Sequence, residues 1–357
     1  MKKHVFFFIK IFVLILAALL VIRFLNNIFI VKNFCDSPYP TTSTYRGFYG
    51  MDTDTVDVIA LGSSHSVNAI IPQLIYDEKN IRMYNLSCEQ QSILASYWWL
   101  REALNYQHPS VIVLDTYLLF PLFDADSINE EEPMLRKAID NMRWGKVKLE
   151  AVRAICDTDE EQQIESYFFP MIRYHSRWND LTKNDFFQSE FDHGERLKGY
   201  SVNDGCFDRP FTQGMNLYNQ TPNDFFHPVM KEYLDKIVAL CRKENIELIL
   251  IKTPNYEWTA KKHDIVNRYA AENSIEFYDF NTGELYNEIG FDFSADMGDS
   301  EHANLYGAMK ISSFLAKELS ERFCVPSVKD SQWEDSTEYF RQIIEKHRDK
   351  KGRMKRE

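Results

Sequence analysis

The sequence predicts an α/β protein with a mainly parallel sheet, preceded by one membrane-spanning helix and interrupted by a large insertion. Short apolar runs alternate with segments whose apolar residues recur at helical spacing, which favours parallel strands joined by helices. The chain also begins with one long apolar stretch, Val5–Val31. Its formal net charge of −12 disfavours a general nucleic-acid-binding protein, because such proteins usually have a basic face.

The N-terminal stretch predicts a membrane anchor over residues 1–32. A bilayer core needs about 20 apolar residues, and Val5–Leu25 is long enough if Lys10 and Arg23 extend towards the headgroups. A cleaved signal peptide is the alternative, but its apolar region is shorter and ends in small residues, which do not follow here. Two lysines precede the span and favour a cytoplasmic N-terminus. We therefore expect a single-pass protein whose folded part is extracytoplasmic.

The first half of the α/β pattern follows a polar segment. Residues 33–54 contain prolines and a cluster of Thr and Ser, which predicts a linker. A domain over residues 55–325 then begins with the apolar strand Val56–Leu61 and a second candidate strand, Arg82–Leu86. Gln91–Tyr106 has apolar residues at helical spacing, and Val111–Leu114 is continuous enough to be a strand buried on both faces.

An insertion of about residues 120–226 interrupts this pattern. It is charged and rich in aromatic residues, and it lacks obvious buried strands, so we expect a partly helical segment over the carboxyl ends of the strands. His175 lies between Arg173 and Arg177. Guanidinium groups match carboxylate and phosphate geometry, so this cluster either binds an anionic substrate or has a structural role within the insertion.

The α/β pattern resumes after the insertion and ends before a charged tail, residues 326–357. Within that tail, Gln332–Lys346 can form a surface helix with its apolar residues on one side. The last basic residues indicate either a solvated tail or a contact with an anionic lipid or polymer. The predicted elements of this half are the helix Pro228–Lys243, the strand Ile246–Ile251, the helix Thr259–Glu272, the strand Ile275–Phe280 and the helix Asn304–Phe323.

Two short motifs supply the side chains of a nucleophilic site. Gly62-Ser63-Ser64-His65 follows the first strand, and Asp299-Ser300-Glu301-His302 precedes the last helix. A serine hydroxyl needs a neighbouring base to take its proton, and a carboxylate stabilises the resulting imidazolium. Ligands of parallel sheets bind beyond the carboxyl ends of the strands, where both motifs are expected. We therefore predict Ser64 as nucleophile, His302 as base and Asp299 as the orienting carboxylate.

Alternatives to these assignments remain open at this level. Ser63 and Ser66 are also possible nucleophiles, and Asp292 or Asp296 can take the place of the carboxylate. The serines can also do no more than cap the following helix. His65 is a weaker candidate for the base, because its side chain is expected to point away from that of its neighbour Ser64.

The chain order Ser, Asp, His resembles the SGNH (GDSL-like) hydrolase family, in particular its membrane-anchored extracytoplasmic members that transfer D-alanyl groups or O-acylate polysaccharides. The resemblance implies a flavodoxin-like three-layer sandwich with a mainly parallel sheet. Ser63 replaces the Asp of the family's Gly-Asp-Ser-Leu block, and His65 replaces its Leu.

The resemblance also implies donors for an oxyanion, and here the sequence departs from the family. The backbone N–H of Ser64 is the first expected donor. The glycine expected after the second strand is Gln90, which still offers a backbone N–H. The Asn expected after the third strand is replaced by Asp115-Thr116-Tyr117, in which Tyr117 either donates instead or packs under the insertion.

Together with the resemblance, these residues predict a membrane-anchored serine esterase or O-acyltransferase. The resemblance implies acyl esters, in particular acetyl esters, of a cell-envelope polysaccharide or similar polymer as its substrate. The alternative is a non-catalytic binding or assembly subunit for a membrane-bound acyltransferase partner. A third candidate, a lipid-ester hydrolase, requires a wide apolar groove, whereas a polar cleft lined by aromatic residues favours sugar.

No cofactor or metal is expected in this chain. The six cysteines include no CxxC pair, so a zinc site is not predicted, and we expect buried free thiols rather than disulfides. The sequence contains no P-loop, no Rossmann glycine fingerprint and no HExxH pair.

Overall fold

The structure is a computed structural model that describes residues 2–33, 39–121, 132–159, 162–186, 196–207 and 221–354. They form two compact units. The first unit comprises residues 1–32 and 143–190, and the second comprises residues 33–142 and 191–357.

The helices, in chain order, are α1 Lys2–Phe29, α2 Thr41–Tyr49, α3 Ser64–Ala69, α4 Pro72–Lys79, α5 Ile93–Ala103, α6 Glu132–Asp140, α7 Lys146–Thr158, α8 Ile164–Phe168, α9 Pro170–Tyr174, α10 Lys183–Phe186, α11 Pro228–Glu244, α12 Ala260–Asn273, α13 Gly283–Glu288, α14 Leu305–Glu321 and α15 Ser331–Met354. Short 3₁₀ turns are Tyr117–Leu119 and His175–Asn179. The strands are β1 Val58–Leu61, β2 Met83–Asn85, β3 Val111–Asp115, β4 Glu247–Lys252 and β5 Glu276–Asp279.

The second unit is built on a five-stranded sheet in the order β2-β1-β3-β4-β5. Every neighbouring pair is parallel; Val58 of β1, for example, lies beside Met83 of β2 and Val111 of β3. The predicted α/β class is therefore confirmed. After β1 the chain builds β2 on one side and then β3 on the other, which creates a topological switch point between β1 and β3.

All residues of β1 and β3 are buried, which indicates that both faces of the sheet are covered. On one face Val58 and Val113 join a core that includes Ile75 of α4 and Leu315 of α14. Alternate strand residues point to the opposite face, where α11 contacts both β4 and α5. The strands and helices predicted for the α/β pattern are present, with bounds shifted by at most three residues.

The expectation that residues 33–54 form a linker is wrong for much of that segment. The Thr- and Ser-rich stretch forms α2, most of whose residues are buried. The Tyr45 ring stacks on Trp99 with ring centroids 4.0 Å apart, and the hydroxyl of Tyr84 donates to the carbonyl of Thr44 at 2.7 Å. Small hydroxylated residues allow close packing around these rings, so a segment of polar composition becomes part of the core.

The segment expected to be an insertion is divided between the two units. Helix α6 belongs to the second unit, where Trp99 Nε1 donates to the carbonyl of Ala138 at 3.2 Å. Residues 143–190 cluster with α1 in the first unit. Residues 122–131, 187–195 and 208–220 lie outside the described part of the chain, and the expected position over the strand ends is not tested.

The segment expected to be a charged tail is mostly a helix of the folded second unit. Helix α15 is longer than the predicted surface helix, and its Trp333 and Phe340 are fully buried. Trp333 Nε1 donates to the carbonyl of Met83 at 3.3 Å. These aromatic side chains bury apolar area that outweighs the polar composition of the segment. Of the final stretch rich in basic residues, residues 350–354 belong to α15, and residues 355–357 lie outside the described residues.

The first unit contains the candidate membrane span. The 26-residue stretch His4–Phe29 is apolar, and its most apolar window is entirely unburied. At 1.5 Å per residue such a helix measures about 39 Å, longer than a bilayer core of about 30 Å. The helix is therefore long and apolar enough to cross a membrane.

Candidate active site

The loop after β1 places a serine at the switch point between β1 and β3. Gly62 ends the strand where a Cβ atom would lie 2.5 Å from Cβ of Asp115, so only glycine allows this close approach. Ser63 Oγ accepts from the backbone N–H of His65 at 3.3 Å and donates to Asp115 Oδ2 at 2.7 Å. The capping role considered for these serines thus belongs to Ser63, and Ser64 becomes the first residue of α3.

Ser64 and the second motif form a continuous hydrogen-bonded chain. Ser64 Oγ lies 2.8 Å from His302 Nε2, and His302 Nδ1 lies 3.0 Å from each carboxylate oxygen of Asp299. Asp299 also accepts from the backbone N–H groups of Glu301 and His302 at 2.8 Å. Side chains separated by 238 residues in the sequence therefore have the geometry of a nucleophile, a base and an orienting carboxylate.

The alternative serines and carboxylates have other partners. Ser66 Oγ lies 3.3 Å from Asn85 Oδ1 and accepts from Ser87 Oγ at 3.1 Å, deep in the core. Asp296 Oδ2 lies 2.6 Å from Lys310 Nζ and accepts from the backbone N–H of Asp292. The contacts therefore favour Ser64 and Asp299 over these alternatives.

The environment keeps Asp299 ionised. Burial raises the pKa of Asp299, but hydrogen bonds from His302 and from the two backbone N–H groups outweigh this effect, and the net pKa is lowered. The side chain of Asp299 is 51% exposed and that of His302 only 11%. A negative charge beside Nδ1 is suited to stabilise the imidazolium that forms when His302 takes a proton.

The two N–H donors expected for an oxyanion are those of Ser64, at the start of α3, and of Gln90, in the turn after β2. Gln90 has a φ of 50°, in the left-handed region that glycine favours, which agrees with the glycine expected at this position. Its turn is held beside the serine loop because the N–H of Cys88 donates to the carbonyl of Gly62 at 3.3 Å. Among the described residues, the N–H groups of Ser64 and Gln90 donate to no other protein group.

A buried basic cluster adjoins the site. The His65 ring lies 3.8 Å from the ring of Tyr117 and 4.9 Å from that of His302, between centroids. His65 Nδ1 lies 3.4 Å from Lys252 Nζ and 3.2 Å from Thr253 Oγ1. Burial, and next the charge of Lys252, lower the pKa of His65 well below its ordinary value, so its imidazole is neutral. Tyr117 packs against this cluster.

Lys252 was not singled out from the sequence. It is fully buried, and burial lowers its pKa from 10.5 to about 8. The signal available was a charged residue directly after the apolar run of β4.

A cavity of about 340 Å³ lies beside this cluster and shares Tyr117 with it. Its lining combines aromatic and polar side chains, and neither Ser64 nor His302 is among the lining residues. The lining residues are Tyr117, Phe120, Pro121, Thr221, Asn223, Asn255, Glu257, Trp258, Thr259 and Lys262.

The described residues include one group close enough to hold a metal ion, His65, Glu301 and His302, whose ligand atoms lie within 4.8 Å of one another. Nε2 of His302 already faces Ser64, and the ammonium of Lys252 lies beside His65. The ammonium of Lys252, 3.4 Å from His65 Nδ1, would repel a metal ion bound to that nitrogen. This group is therefore better suited to acid–base chemistry than to metal binding.

The Arg–His cluster of the insertion does not belong to the unit that carries these side chains. His175 Nδ1 lies 2.9 Å from the carbonyl of Ile172, and Arg177 Nη2 lies 2.9 Å from Asp185 Oδ1. These contacts are internal to the first unit and favour the structural role for Arg177.

Comparisons with known proteins give no family to this chain: no family model matches it, and no curated protein does. The interpretation of the site therefore depends on its own geometry.

Proposed function

We propose that the chain is a membrane-anchored serine esterase or O-acyltransferase of the SGNH type. The observation that carries the proposal is the hydrogen-bonded chain from Ser64 through His302 to Asp299, with separations of 2.8 and 3.0 Å. The strand order 2-1-3-4-5 and the location of Ser64 after the first strand at the switch point are consistent with the flavodoxin-like arrangement of that family.

In the first half-reaction, Ser64 Oγ attacks the ester carbonyl while His302 Nε2 takes the hydroxyl proton. The N–H groups of Ser64 and Gln90 bind the oxyanion of the tetrahedral intermediate. Collapse of the intermediate breaks the bond to the leaving alcohol, which receives the proton from His302, and leaves an acyl group on Ser64. Asp299 stabilises the imidazolium in between.

In the second half-reaction, water or a sugar hydroxyl attacks the acyl carbonyl while His302 takes its proton. Collapse of this intermediate breaks the bond to Ser64 Oγ, which recovers the proton from His302. If water is the acceptor, the chain acts as an esterase. If a sugar hydroxyl is the acceptor, it acts as an acyltransferase. The polar, aromatic lining of the cavity beside Tyr117 supports a saccharide acceptor or donor. With the anchor α1 and the resemblance in mind, we propose acetyl esters of an extracytoplasmic polysaccharide as the substrate class, with a membrane-bound acyltransferase as partner where the acyl group must be supplied.

Two observations favour a second candidate, a non-catalytic subunit that binds polymer for a membrane acyltransferase. Asp115 and Tyr117 occupy the positions at which the family has its Asn donor. Asp115 accepts a hydrogen bond from Ser63 Oγ and does not replace that donor. Ser64 is also only 8% exposed. An oxyanion hole with two donors instead of three stabilises the intermediate less.

A serine-directed fluorophosphonate probe tests the proposal on the full chain in detergent. We expect labelling at Ser64, mapped by mass spectrometry, with loss in Ser64→Ala and a rate decrease of about 10²- to 10⁴-fold in His302→Ala, as for loss of a general base. Ser63→Ala is the matched control, because it removes a neighbouring hydroxyl that acts as a cap, and should still be labelled. Absence of labelling in a chain that unfolds cooperatively would favour the binding subunit.

A further inference from the structure

Exposed apolar side chains are concentrated on residues 143–190. Outside α1, the exposed large apolar side chains of the described residues are Val31, Trp144, Ile164, Phe168, Phe169, Ile172, Trp178, Phe186 and Phe225. All except Val31 and Phe225 belong to residues 143–190, and we call these seven the apolar patch. Trp178 is 67% exposed, and Trp144, 47% exposed, stacks on Phe168 at 4.5 Å between centroids. Such a concentration indicates an interaction surface.

The segment that carries the patch is bound to the carboxyl end of α1. Asn26 Nδ2 donates to the carbonyl of Phe168 at 3.1 Å, and Asn26 Oδ1 accepts from the N–H of Met171 at 3.5 Å. Arg177 Nη1 donates to the carbonyl of Phe29 at 2.6 Å. These contacts hold the patch at the level of residues 26–29, where α1 ends.

That level corresponds to a membrane surface if α1 spans the bilayer. A 26-residue helix measures about 39 Å, so its last residues emerge from a core of about 30 Å into the headgroup region. Tryptophan is enriched in that region, because its amphipathic ring favours the boundary between acyl chains and water, and phenylalanine is common on the apolar faces of helices that lie in the interface. Asn26 and Arg177 satisfy backbone groups at the junction, as a site with little water requires.

We propose that the apolar patch lies in the lipid–water interface of the bilayer that α1 spans. Phospholipid is the partner that the patch fits, because the segment that carries it is hydrogen-bonded to the end of α1, whose apolar side chains are themselves exposed. The inference rests on the membrane anchoring of the proposed function, but not on any catalytic role of Ser64. In this arrangement α1 and residues 143–190 form one membrane-bound unit.

Intrinsic tryptophan fluorescence tests this proposal directly. Trp144 and Trp178 are the exposed tryptophans, whereas Trp98, Trp99, Trp258 and Trp333 are at most 5% exposed. The full chain would be reconstituted into vesicles of phosphatidylcholine and phosphatidylglycerol with acyl chains brominated either near the headgroup or near the chain end. We expect the shallow bromines to quench most of the emission that the variant W144F/W178F lacks, and the deep bromines to quench less of it.

Two controls separate this result from the proposed function. Flotation shows whether the chain is held by the vesicles, and W144F/W178F keeps aromatic rings at both positions, so its residual quenching reports the buried tryptophans. Fluorophosphonate labelling on the same vesicles tests Ser64 independently. A chain that floats while Trp144 and Trp178 remain unquenched would overturn the proposal in favour of a protein-binding surface. A chain that does not float would overturn it together with the anchor.

Discussion

At the residue scale, the least usual feature of the site is the buried ammonium of Lys252. Its Nζ donates to the carbonyl of Thr253 at 2.9 Å and lies 3.4 Å from His65 Nδ1. Burial lowers its pKa most, and the carboxylates of Asp115 and Asp279 oppose that effect without cancelling it. The proton on Lys252 is therefore held less tightly in the folded chain than in the unfolded chain.

We predict that this lysine makes stability depend on pH. The unfolded chain keeps the lysine protonated up to pH 10.5, whereas the folded chain releases the proton near pH 8. Between these values the unfolded state binds more protons, so the free energy of unfolding rises with pH, by up to roughly 3 kcal/mol. Denaturant titrations from about pH 7 to pH 10 should show this rise in the native chain but not in Lys252→Met, in which the other titrating groups remain.

Parallel stability curves for the two proteins would contradict the prediction. They would mean that Lys252 reaches water, or that the nearby carboxylates hold its charge as firmly as water does.

At the scale of secondary-structure elements, α2 is the helix whose composition conceals its role. Its Thr and Ser residues are typical of exposed segments, yet Tyr45 is fully buried and stacks on Trp99. The Tyr45 hydroxyl also bonds to Gln91, just before α5. This helix therefore fixes the loop that carries Gln90, one of the proposed oxyanion donors.

We predict that Tyr45→Ala lowers the free energy of unfolding by about 3–5 kcal/mol, because it leaves a cavity in the core. Tyr45→Phe keeps the ring and removes only the hydrogen bond, so about 1 kcal/mol is expected. Denaturant unfolding of the two variants beside the native chain measures both values. Equal, small losses in both would show that α2 is held loosely.

At the scale of the whole molecule, the proposed anchor makes the side of the membrane on which the second unit folds a testable property. The unit carries exposed thiols at Cys206 and Cys324 and buried thiols at Cys88 and Cys241. Burial raises the pKa of Cys88 to about 11 and that of Cys241 to about 12, so their reactive thiolates are scarce. The expectation that the six cysteines are buried free thiols is therefore wrong for Cys206 and Cys324, which are exposed. Cys35 lies outside the described residues.

We predict that a membrane-impermeant maleimide labels Cys206 and Cys324 in intact cells, because the two lysines at the start of α1, before its apolar stretch, favour an extracytoplasmic second unit. Peptide mapping by mass spectrometry would identify the labelled positions. Cys88 and Cys241 are internal controls that should react only after denaturation. Labelling of Cys206 and Cys324 that requires lysis would place the second unit in the cytoplasm and contradict the proposed substrate class.

The sequence by itself determined the alternation of the second unit and the two motifs of its site. Apolar periodicity is a local property, so β1, β3, β4 and the long helices could be located from neighbouring residues. The position of Ser64 and His302 beyond strand ends followed from that pattern, because parallel strands end at one edge of the sheet.

Only the tertiary structure decided which polar groups meet and which segments are core. The choice of Ser64 over Ser63 depends on hydrogen bonds to His302 and Asp115, which are 238 and 52 residues away in the chain. Asp296 is excluded by its pairing with Lys310 on the last helix of the α/β pattern, α14. The burial of α2 and the attachment of residues 143–190 to α1 likewise arise from distant contacts. Both outcomes have the same physical reason. Packing against surfaces that are distant in the chain outweighs the local composition and periodicity from which a single sequence is interpreted.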